Sequence, residues 1–449
     1  MAERIAQPSA PGGVPIEALR AELDREAQGR SMMELAAELY PICRSITGAG
    51  LRETLDRLGR RLPLERHSIA SGTRVFDWTI PPEWNIREAW IRGPHGDRIV
   101  DFADHNLHVV SYSEPVRARM LLDALRPHLH TLPERPRWIP YRTSYYERSW
   151  GFCLEHERLA RLEGGEYEVC IDASLEDGQL DWAELVLPGE TSDEVLFSCH
   201  ACHPSLANDN LSSLAVATSL AQLLLRARRR LTYRFLFIPG TIGAIAWLAT
   251  HEQRARRIRH GMVLACLGDP GPFTWKRSRR GDCPIDRAVE LVLARSGHKW
   301  EARRFTPYGY DERQYGSPGF DLPVGRLTRT PNGEYPEYHT SADDLSLIRP
   351  EALTDSLDVL LRVCEVIEGD RVYRNTQPMC EPQLGRRGLY GALGGLPDPG
   401  ARSLAMLWVL NLSDGSHSLL DIAQRSELPF ELVREIALLL QAHELLIPG

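Results

Sequence analysis

Imidazole and carboxylate side chains with the chemistry of metal ligands follow the apolar run 195–200. That run ends at His200, His203 comes shortly after it, and an Asp-Asn pair begins at Asp209. Zinc prefers imidazole nitrogen and carboxylate oxygen, and loops that follow buried strands can hold both on a rigid frame. A buried structural histidine and a helix-capping aspartate would produce the same letters. Taken alone, His200 and Asp209 favour this structural interpretation over a metal site.

Two later segments carry polar residues of the same kinds. The segment EYPEYHTSADDL contains His339, followed by a threonine and then by Asp343. The segment YDERQYGSPGFDLPVGRL begins at Tyr310 and continues with Asp311 and Glu312. Only the fold can bring residues so distant in sequence to one place.

Strand-like and helix-like apolar runs alternate from residue 167 onward. The strand-like runs cover 195–200, 233–239 and 261–268, and helix-like runs cover 212–225 and 242–251. This alternation predicts an α/β fold with a mostly parallel or mixed sheet and helices on both faces. Ligands of such sheets bind beyond the carboxyl ends of the strands, so the residues that follow each strand are the place to look for chemistry.

Local changes in residue composition and apolar pattern divide the chain into further parts. Residues 1–62 read as a tail followed by helices of the main domain, and short strand-like segments bounded by Pro, Gly and Asn predict an inserted β-rich domain over 63–140. The main domain resumes over 141–375, and 380–449 reads as a winged helix-turn-helix domain. The candidate recognition helix, 427–444, is more acidic than basic, so we favour a packing or interaction role over DNA binding.

Six long blocks carry a resemblance to a known family: FDWTIPPEWNIREAWI, NLHVVSYSEPV, WGFCLEHE, SCHACHPSLANDNLSS, GDPGPFTWKRSRRGD and YGYDERQY. Over residues 30–449 the chain resembles M28-like zinc aminopeptidases, and in particular the DUF4910 branch with an inserted DUF2172 domain and a C-terminal winged helix. The resemblance therefore implies the zinc aminopeptidase-like version of the predicted α/β fold.

The resemblance also implies a metal site. Asp209 would be the central carboxylate, with His200 and His339 as imidazole ligands. It places a further carboxylate ligand at Asp269, which a role as a turn former explains equally well. His203 competes with His200, because either ring could turn inward after the strand.

One expected feature is missing from the sequence. M28 enzymes carry two glutamates after the strand that corresponds to YRFLFIP, the first a general base and the second a metal ligand. Here those positions are Gly240 and Thr241. Loss of the second acid predicts one zinc ion rather than two, and loss of the first removes a rate contribution of about 100- to 10,000-fold. Either another acid substitutes, with Glu312, Glu334 and Glu337 the nearest in sequence, or hydrolysis is attenuated.

The function that the resemblance implies is a zinc-dependent aminopeptidase-like hydrolase acting on a small amide or a peptide. Zinc would polarise the scissile carbonyl, water would attack, and Asp311 with Glu312 would anchor the amine. Tyr310 and Arg313 would contact the substrate beside them. The alternative is a degenerate or repurposed protein of the same fold, which binds a ligand or partner or performs non-hydrolytic acyl chemistry in a biosynthetic pathway.

Composition limits the remaining classes. A chain of 449 residues is long enough for two or three folded units, and a formal charge of -8 argues against nucleic acid as a partner. No apolar run reaches the roughly 18 residues that span a bilayer, and no secretory leader is evident, so we expect a cytoplasmic protein without a membrane partner. Nine scattered cysteines fit a reducing compartment. Homo-oligomerisation stays open.

Overall fold

The structure, a computed structural model, describes residues 13–389 and 399–449. The chain divides into two compact units. The first comprises the described part of Met1–Gly281 together with His298–Asp358. The second comprises Asp282–Gly297 and the described part of Val359–Gly449.

The strands of the described residues are β1 (Glu65–Ala70), β2 (Arg74–Val75), β3 (Trp78–Thr79), β4 (Glu83–Arg92), β5 (Arg98–Asp101), β6 (Val116–Leu121), β7 (Leu129–His130), β8 (Phe152–Cys153), β9 (Glu166–Glu176), β10 (Gln179–Leu187), β11 (Glu194–His200), β12 (Thr232–Ile238), β13 (Ile258–Leu264), β14 (Phe273–Lys276), β15 (Trp300–Arg303), β16 (Val324–Thr328), β17 (Val372–Asn375), β18 (Asp414–Ser418) and β19 (Leu446–Pro448). The helices are α1 (Ile16–Ala21), α2 (Arg25–Leu39), α3 (Ala49–Gly59), α4 (Leu122–Leu125), α5 (His156–Ala160), α6 (Ser213–Arg226), α7 (Ile242–Thr250), α8 (Glu252–Ala255), α9 (Pro284–Ala294), α10 (Glu312–Tyr315), α11 (Pro350–Gly369), α12 (Pro399–Leu412), α13 (Leu419–Ser426) and α14 (Phe430–Ala442).

The first unit is built on an eight-stranded mixed sheet in the order β1-β10-β12-β11-β13-β16-β14-β15. Its centre is parallel, since β12, β11, β13 and β16 run in one direction. Antiparallel pairing joins β10 to β12 and β14 to β16. Every residue of β11 and β12 is buried, as expected for apolar strands covered on both faces. The predicted α/β fold with a mixed sheet is confirmed.

A smaller antiparallel sheet, in the order β5-β4-β9-β6, forms the β-rich part of this unit. Its core includes Ile91, Phe152 and Val169. The range predicted for this part, 63–140, differs from the observed pairing at both ends. Strand β1 pairs with β10 of the large sheet, and β9 completes the small sheet from beyond residue 140. Since β1 is a largely exposed edge strand, its sequence carries little apolar signal of the sheet to which it belongs.

In the described part of the second unit, helices α9, α12, α13 and α14 and the end of α11 accompany a three-stranded sheet in the order β18-β17-β19. Ser418 caps α13 by accepting from the backbone N–H of Asp421, whose side chain accepts in return from the N–H of Ser418. Apolar residues of α13 and α14, among them Ile422 and Val433, are buried. Within the described residues, no helix combines the length and the apolar character needed to cross a membrane.

Candidate metal centre

The end of β11 places His200 at the carboxyl edge of the parallel strands, where it is buried. Asn210 fixes this strand end, because its side-chain amide donates to the carbonyl oxygens of His200 at 3.2 Å and Leu264 at 3.1 Å. The amide oxygen of Asn210 accepts in turn from the backbone N–H of Cys266. One side chain thus ties β11 to β13 directly beneath the imidazole of His200.

Asp209 lies at the centre of the site, in an irregular turn that precedes α6. Its Oδ1 is 3.0 Å from Nε2 of His200, and its Oδ2 is 3.1 Å from Nε2 of His339. The hydroxyl of Tyr310 donates to Oδ1 at 2.9 Å. Burial opposes ionisation, but the imidazoles of His203, His200 and His339 outweigh it and hold the pKa of Asp209 well below its usual range. The three distant residues on which the sequence-based prediction rests therefore meet here.

Hydrogen bonds to the carboxyl group of Asp343 hold the turn that contains Asp209. The backbone N–H groups of Asn208 and Asp209 donate to the carboxyl group of Asp343 at 2.6 and 3.1 Å. Burial raises the pKa of Asp343 to about 8, with the nearby charge of Asp209 acting in the same direction. The Asp of the His-Thr-x-x-Asp segment thus positions the turn that carries Asp209.

His339 forms the more open side of the site, since its side chain is 33% exposed. The backbone N–H of Tyr141 donates to its carbonyl oxygen at 2.8 Å. The imidazole stacks on Tyr338, with ring centroids 3.9 Å apart, and meets the edge of Tyr141 at 5.1 Å. Sequence reasoning did not find these two tyrosines, because neither carries a motif of its own.

A third imidazole, that of His203, lies against the same carboxylate. The ligand atoms of His200, His203 and Asp209 all lie within 4.8 Å of one another. The rings of His203 and His339 have their centroids 5.3 Å apart. Burial lowers the pKa of His203 to about 3, which leaves its ring neutral, the form that binds metal. Imidazole nitrogens around one ionised carboxylate are a donor set that suits zinc.

Asp269 has different partners. Its Oδ1 accepts from the N–H of Gly271 at 2.8 Å and from the hydroxyl of Thr330 at 2.6 Å. Its Oδ2 accepts from the side-chain amide of Asn208 at 3.1 Å. Both oxygens of Asp269 are thus engaged in holding a turn.

The backbone at the missing acids runs beside His200. A Cβ added to Gly240 would lie 3.7 Å from both Cβ of His200 and Sγ of Cys202, which is ordinary contact. The N–H of Thr241 donates to Oδ1 of Asp311 at 2.6 Å. Asp311 is buried, and this burial raises its pKa to about 6. A carboxyl group from another element therefore borders the turn where the sequence lacks one.

The other predicted acids are engaged elsewhere or lie nearer the surface. Oε1 of Glu312 accepts from Nζ of Lys276 at 2.8 Å, and both side chains are buried. Glu334 forms an ion pair with Arg303, whose second terminal nitrogen donates at 2.8 Å. Glu337 is half-buried, close in sequence to His339. Two of the three acids proposed as substitute bases are thus held by cations.

Of the predicted substrate-binding residues, Tyr310 lies within the site. Its ring stacks on the imidazole of His200, with centroids 4.8 Å apart, in addition to the hydroxyl contact with Asp209. The guanidinium of Arg326 lies 5.4 Å from the centroid of the same ring. Arg313 is half-buried in the short helix α10.

Backbone strain surrounds the centre. Ser205, Thr241, Cys266 and His339 have positive φ angles of 43°, 61°, 50° and 55°. Such conformations cost residues with a Cβ about 1–3 kcal/mol each and cluster at functional sites. Four of them in the segments that border one carboxylate support a functional role for this edge of the sheet.

Comparisons with known proteins agree with this architecture. Residues 33–370 match the model of a domain of unknown function, DUF4910, and residues 371–448 match a winged helix-turn-helix model. The predicted C-terminal winged helix is therefore confirmed. The predicted identity of the inserted part as DUF2172 stays a prediction.

Two matches come from Clostridium acetobutylicum. A protein described as acting in polysaccharide biosynthesis and having an aminopeptidase-like domain is 47% identical over 418 residues, covering 93% of this chain and 96% of its own. A crystal structure described as a peptidase superposes with a TM-score of 0.91 at 44% identity, covering 97% of this chain and 100% of its own.

A more distant similarity supports the fold alone. A zinc aminopeptidase from Bacillus subtilis superposes with a TM-score of 0.55 at 14% identity, covering 76% of this chain and 94% of its own. The expected resemblance to zinc aminopeptidases is therefore confirmed at the level of the fold.

Proposed function

This chain belongs to the DUF4910 family, and we propose that it is a metal-dependent hydrolase of the aminopeptidase type acting on a small amide or a peptide. One observation carries the proposal: the two oxygens of the buried carboxylate of Asp209 face two imidazoles, at 3.0 and 3.1 Å. The ligand atoms of a third imidazole, that of His203, lie within 4.8 Å of those of His200 and Asp209. A buried ionised carboxylate beside imidazole nitrogens is a suitable site for a divalent ion.

His200, Asp209 and His339 would hold one zinc ion. Three protein ligands leave a coordination position open, as catalytic zinc sites require, whereas a fourth ligand from His203 would close the shell. We therefore assign His203 to the wall of the site. When bound, zinc supplies Lewis-acid chemistry that polarises a substrate carbonyl.

Asp311 would act as the general base in place of the acid missing at Gly240. Its Oδ1 is held by the N–H of Thr241 at 2.6 Å, in the turn that runs beside His200. A pKa of about 6 lies near neutrality, where a carboxylate accepts and returns protons efficiently. The carboxylate would take a proton from the attacking water and deliver it to the leaving amine. This role replaces the amine anchoring expected of Asp311 from sequence.

Aromatic side chains would shape the approach to the site. Tyr310 orients Asp209 through its hydroxyl, and Tyr338 and Tyr141 pack on the ring of His339. Because His339 is the most exposed of the three proposed ligands, a substrate would enter on its side. The tyrosine rings would shield the polarised carbonyl from bulk water.

Metal analysis and an activity panel test the proposal together. Protein purified without chelator is analysed for metal, and aminoacyl anilides and short peptides are offered as substrates. Asp209→Asn should remove one equivalent of zinc and abolish hydrolysis. His95→Asn, which changes an exposed histidine, serves as the matched control. If Asp209→Asn leaves both metal content and activity unchanged, the proposed centre is wrong.

The name of one similar protein favours a second candidate function. The 47% identical relative is described as a polysaccharide biosynthesis protein, and the acid expected at position 240 is glycine here. The same site could then serve non-hydrolytic acyl chemistry or ligand binding. A protein that binds zinc through Asp209 but hydrolyses no member of the panel, even as the Gly240→Glu variant, would support this alternative.

A further inference from the structure

A second group of metal-ligating side chains lies outside the proposed centre, on the outer strands β1 and β10. The ligand atoms of Glu65, His67 and Glu184 lie within 4.8 Å of one another. Glu65 and His67 share one face of β1, and Glu65 lies directly opposite Glu184 in the antiparallel register. Like charges in directly opposed positions destabilise a strand pair, so this arrangement calls for positive charge between them.

The spacing of these atoms differs from that of ordinary hydrogen bonds. Nε2 of His67 is 3.4 Å from Oε1 of Glu184 and 3.8 Å from Oε1 of Glu65. A charge-assisted hydrogen bond would measure about 2.7–2.9 Å. Neighbouring ligands around a tetrahedral zinc ion, with bonds of about 2.0–2.1 Å, lie about 3.4 Å apart. Within the described chain, buried Nε2 of His67 meets no partner at hydrogen-bonding geometry.

The two oxygens of Glu184 have different partners. Oε2 accepts from Arg234 at 2.7 Å and from the indole of Trp247 at 3.2 Å. Arg234 also bonds Glu194, at 2.8 and 3.1 Å, so its charge is divided between two carboxylates. Oε1 faces His67 and, at 3.8 Å, Arg254. The side chain of Arg254 is 32% exposed.

A second imidazole and a cavity lie beside the group. The ring of His251 is 6.1 Å from that of His67, edge-on. Its Nδ1 is 3.0 Å from the carbonyl oxygen of Trp247 and 2.8 Å from the hydroxyl oxygen of Thr250. A cavity of about 350 Å³ is lined by residues 249–254, which include His251.

We propose that Glu65, His67 and Glu184 bind a divalent transition-metal ion, zinc by the nature of the donors. The ion fastens the edge strand β1 to β10 and balances the opposed carboxylates. This site is independent of the proposed hydrolase function, because none of its ligands belongs to the centre around Asp209.

Zinc titration calorimetry on the full chain in an Asp209→Asn background tests the site, because that background removes the first centre. We expect one equivalent of zinc to bind there. Adding Glu65→Gln or His67→Phe should weaken binding at least about tenfold, the usual cost of losing a metal-site contact. The phenylalanine keeps the stacking of residue 67 on Trp182, and Glu65 is largely exposed, so neither change removes a core contact. Glu176→Gln, an exposed strand residue, is the control.

The possible outcomes separate the two sites. Binding that falls with Glu65→Gln and His67→Phe but not with Glu176→Gln supports the second site, whatever the activity of the first. An Asp209→Asn protein that binds no zinc, or whose zinc is untouched by both variants, overturns it. Zinc lost with Asp209→Asn alone would then belong only to the proposed hydrolase centre.

Discussion

Moving the acid from position 311 to position 240 tests the proposed base most directly. Asp311→Asn keeps an oxygen that can accept from the N–H of Thr241 at its observed 2.6 Å but removes the proton-accepting carboxylate. Gly240→Glu restores a carboxylate where the resemblance to M28 enzymes places the base. A Cβ there would meet its nearest atoms at 3.7 Å, so the backbone need not shift. The pair of substitutions therefore relocates one function within an intact site.

The expected size of the effect follows from general-base chemistry. Base assistance contributes about 100- to 10,000-fold, which corresponds to about 2.7–5.4 kcal/mol in the barrier. Asp311→Asn should lower kcat by that factor with zinc still bound. Gly240→Glu in the same background should recover at least a tenth of the loss, and Gly240→Gln, equal in size but unable to accept the proton, should recover none.

Stability provides an independent readout of the same substitution. The pKa of Asp311 rises from 3.8 to about 6 on folding because of burial, so the folded protein binds the proton more tightly than the unfolded chain does. Stability from this group is then fully present below pH 3.8 and is lost as the pH rises through about 6. The neutral Asn avoids that loss, which amounts to about 3 kcal/mol above the folded pKa. Asp311→Asn should therefore be less active but more stable than wild type at pH 8, and equally stable at pH 3.5.

Steady-state hydrolysis of an aminoacyl anilide and thermal unfolding at the two pH values measure both effects. Activity of Asp311→Asn within about threefold of wild type would refute the assignment, since that is far below the contribution of a general base. So would equal rescue by Gly240→Glu and Gly240→Gln. A loss of stability at pH 8 would show that the carboxylate has a structural role instead.

Three further predictions follow from the same geometry. His200→Asn should remove one equivalent of zinc and the activity, whereas His203→Asn should retain most of that equivalent; metal analysis of the two variants decides between these neighbouring imidazoles. Activity should rise as the pH passes through about 6, when Asp311 loses its proton, and a pH profile of kcat that stays flat from pH 5 to 8 would contradict this. Zinc at about 100 times its Kd should stabilise the fold by about 2.7 kcal/mol per site, and a melting temperature that chelator leaves unchanged would argue against a bound ion.

The position of His200 at the end of a buried strand could be predicted from the local residue pattern. A wholly apolar run ending at His200 signals a buried parallel strand, and the rule that ligands gather at the carboxyl ends of such strands points to the residues after it. Helix α6 begins close to its predicted start for the same reason, since its apolar positions follow a helical period. These inferences need only short stretches of sequence.

What failed to emerge from sequence depends on contacts across long separations. Asp269 accepts a hydrogen bond from Thr330, and Glu312 accepts one from Lys276. No local sequence pattern identifies these partners. The contact of Asp311 with the N–H of Thr241 is of the same kind. Strand β1 shows the clearest case, because its cross-strand register with β10, rather than its own residues, brings His67 to Glu184. The residue pattern predicts the helices and strands, whereas the contacts between distant side chains become known only once the sheet is assembled.

The electrostatics of Asp209 are compatible with the proposed metal even though the acid at position 240 is missing. A carboxylate with no exposed surface costs several kcal/mol in an uncompensated setting. Within the described chain, its oxygens contact two imidazoles and a tyrosine hydroxyl, none of which carries a permanent charge. The three imidazoles nevertheless hold the pKa of Asp209 well below its usual range, so the buried carboxylate is ionised. An ionised carboxylate beside imidazole nitrogens, on a turn held by Asp343, is the arrangement that the proposed divalent ion would require.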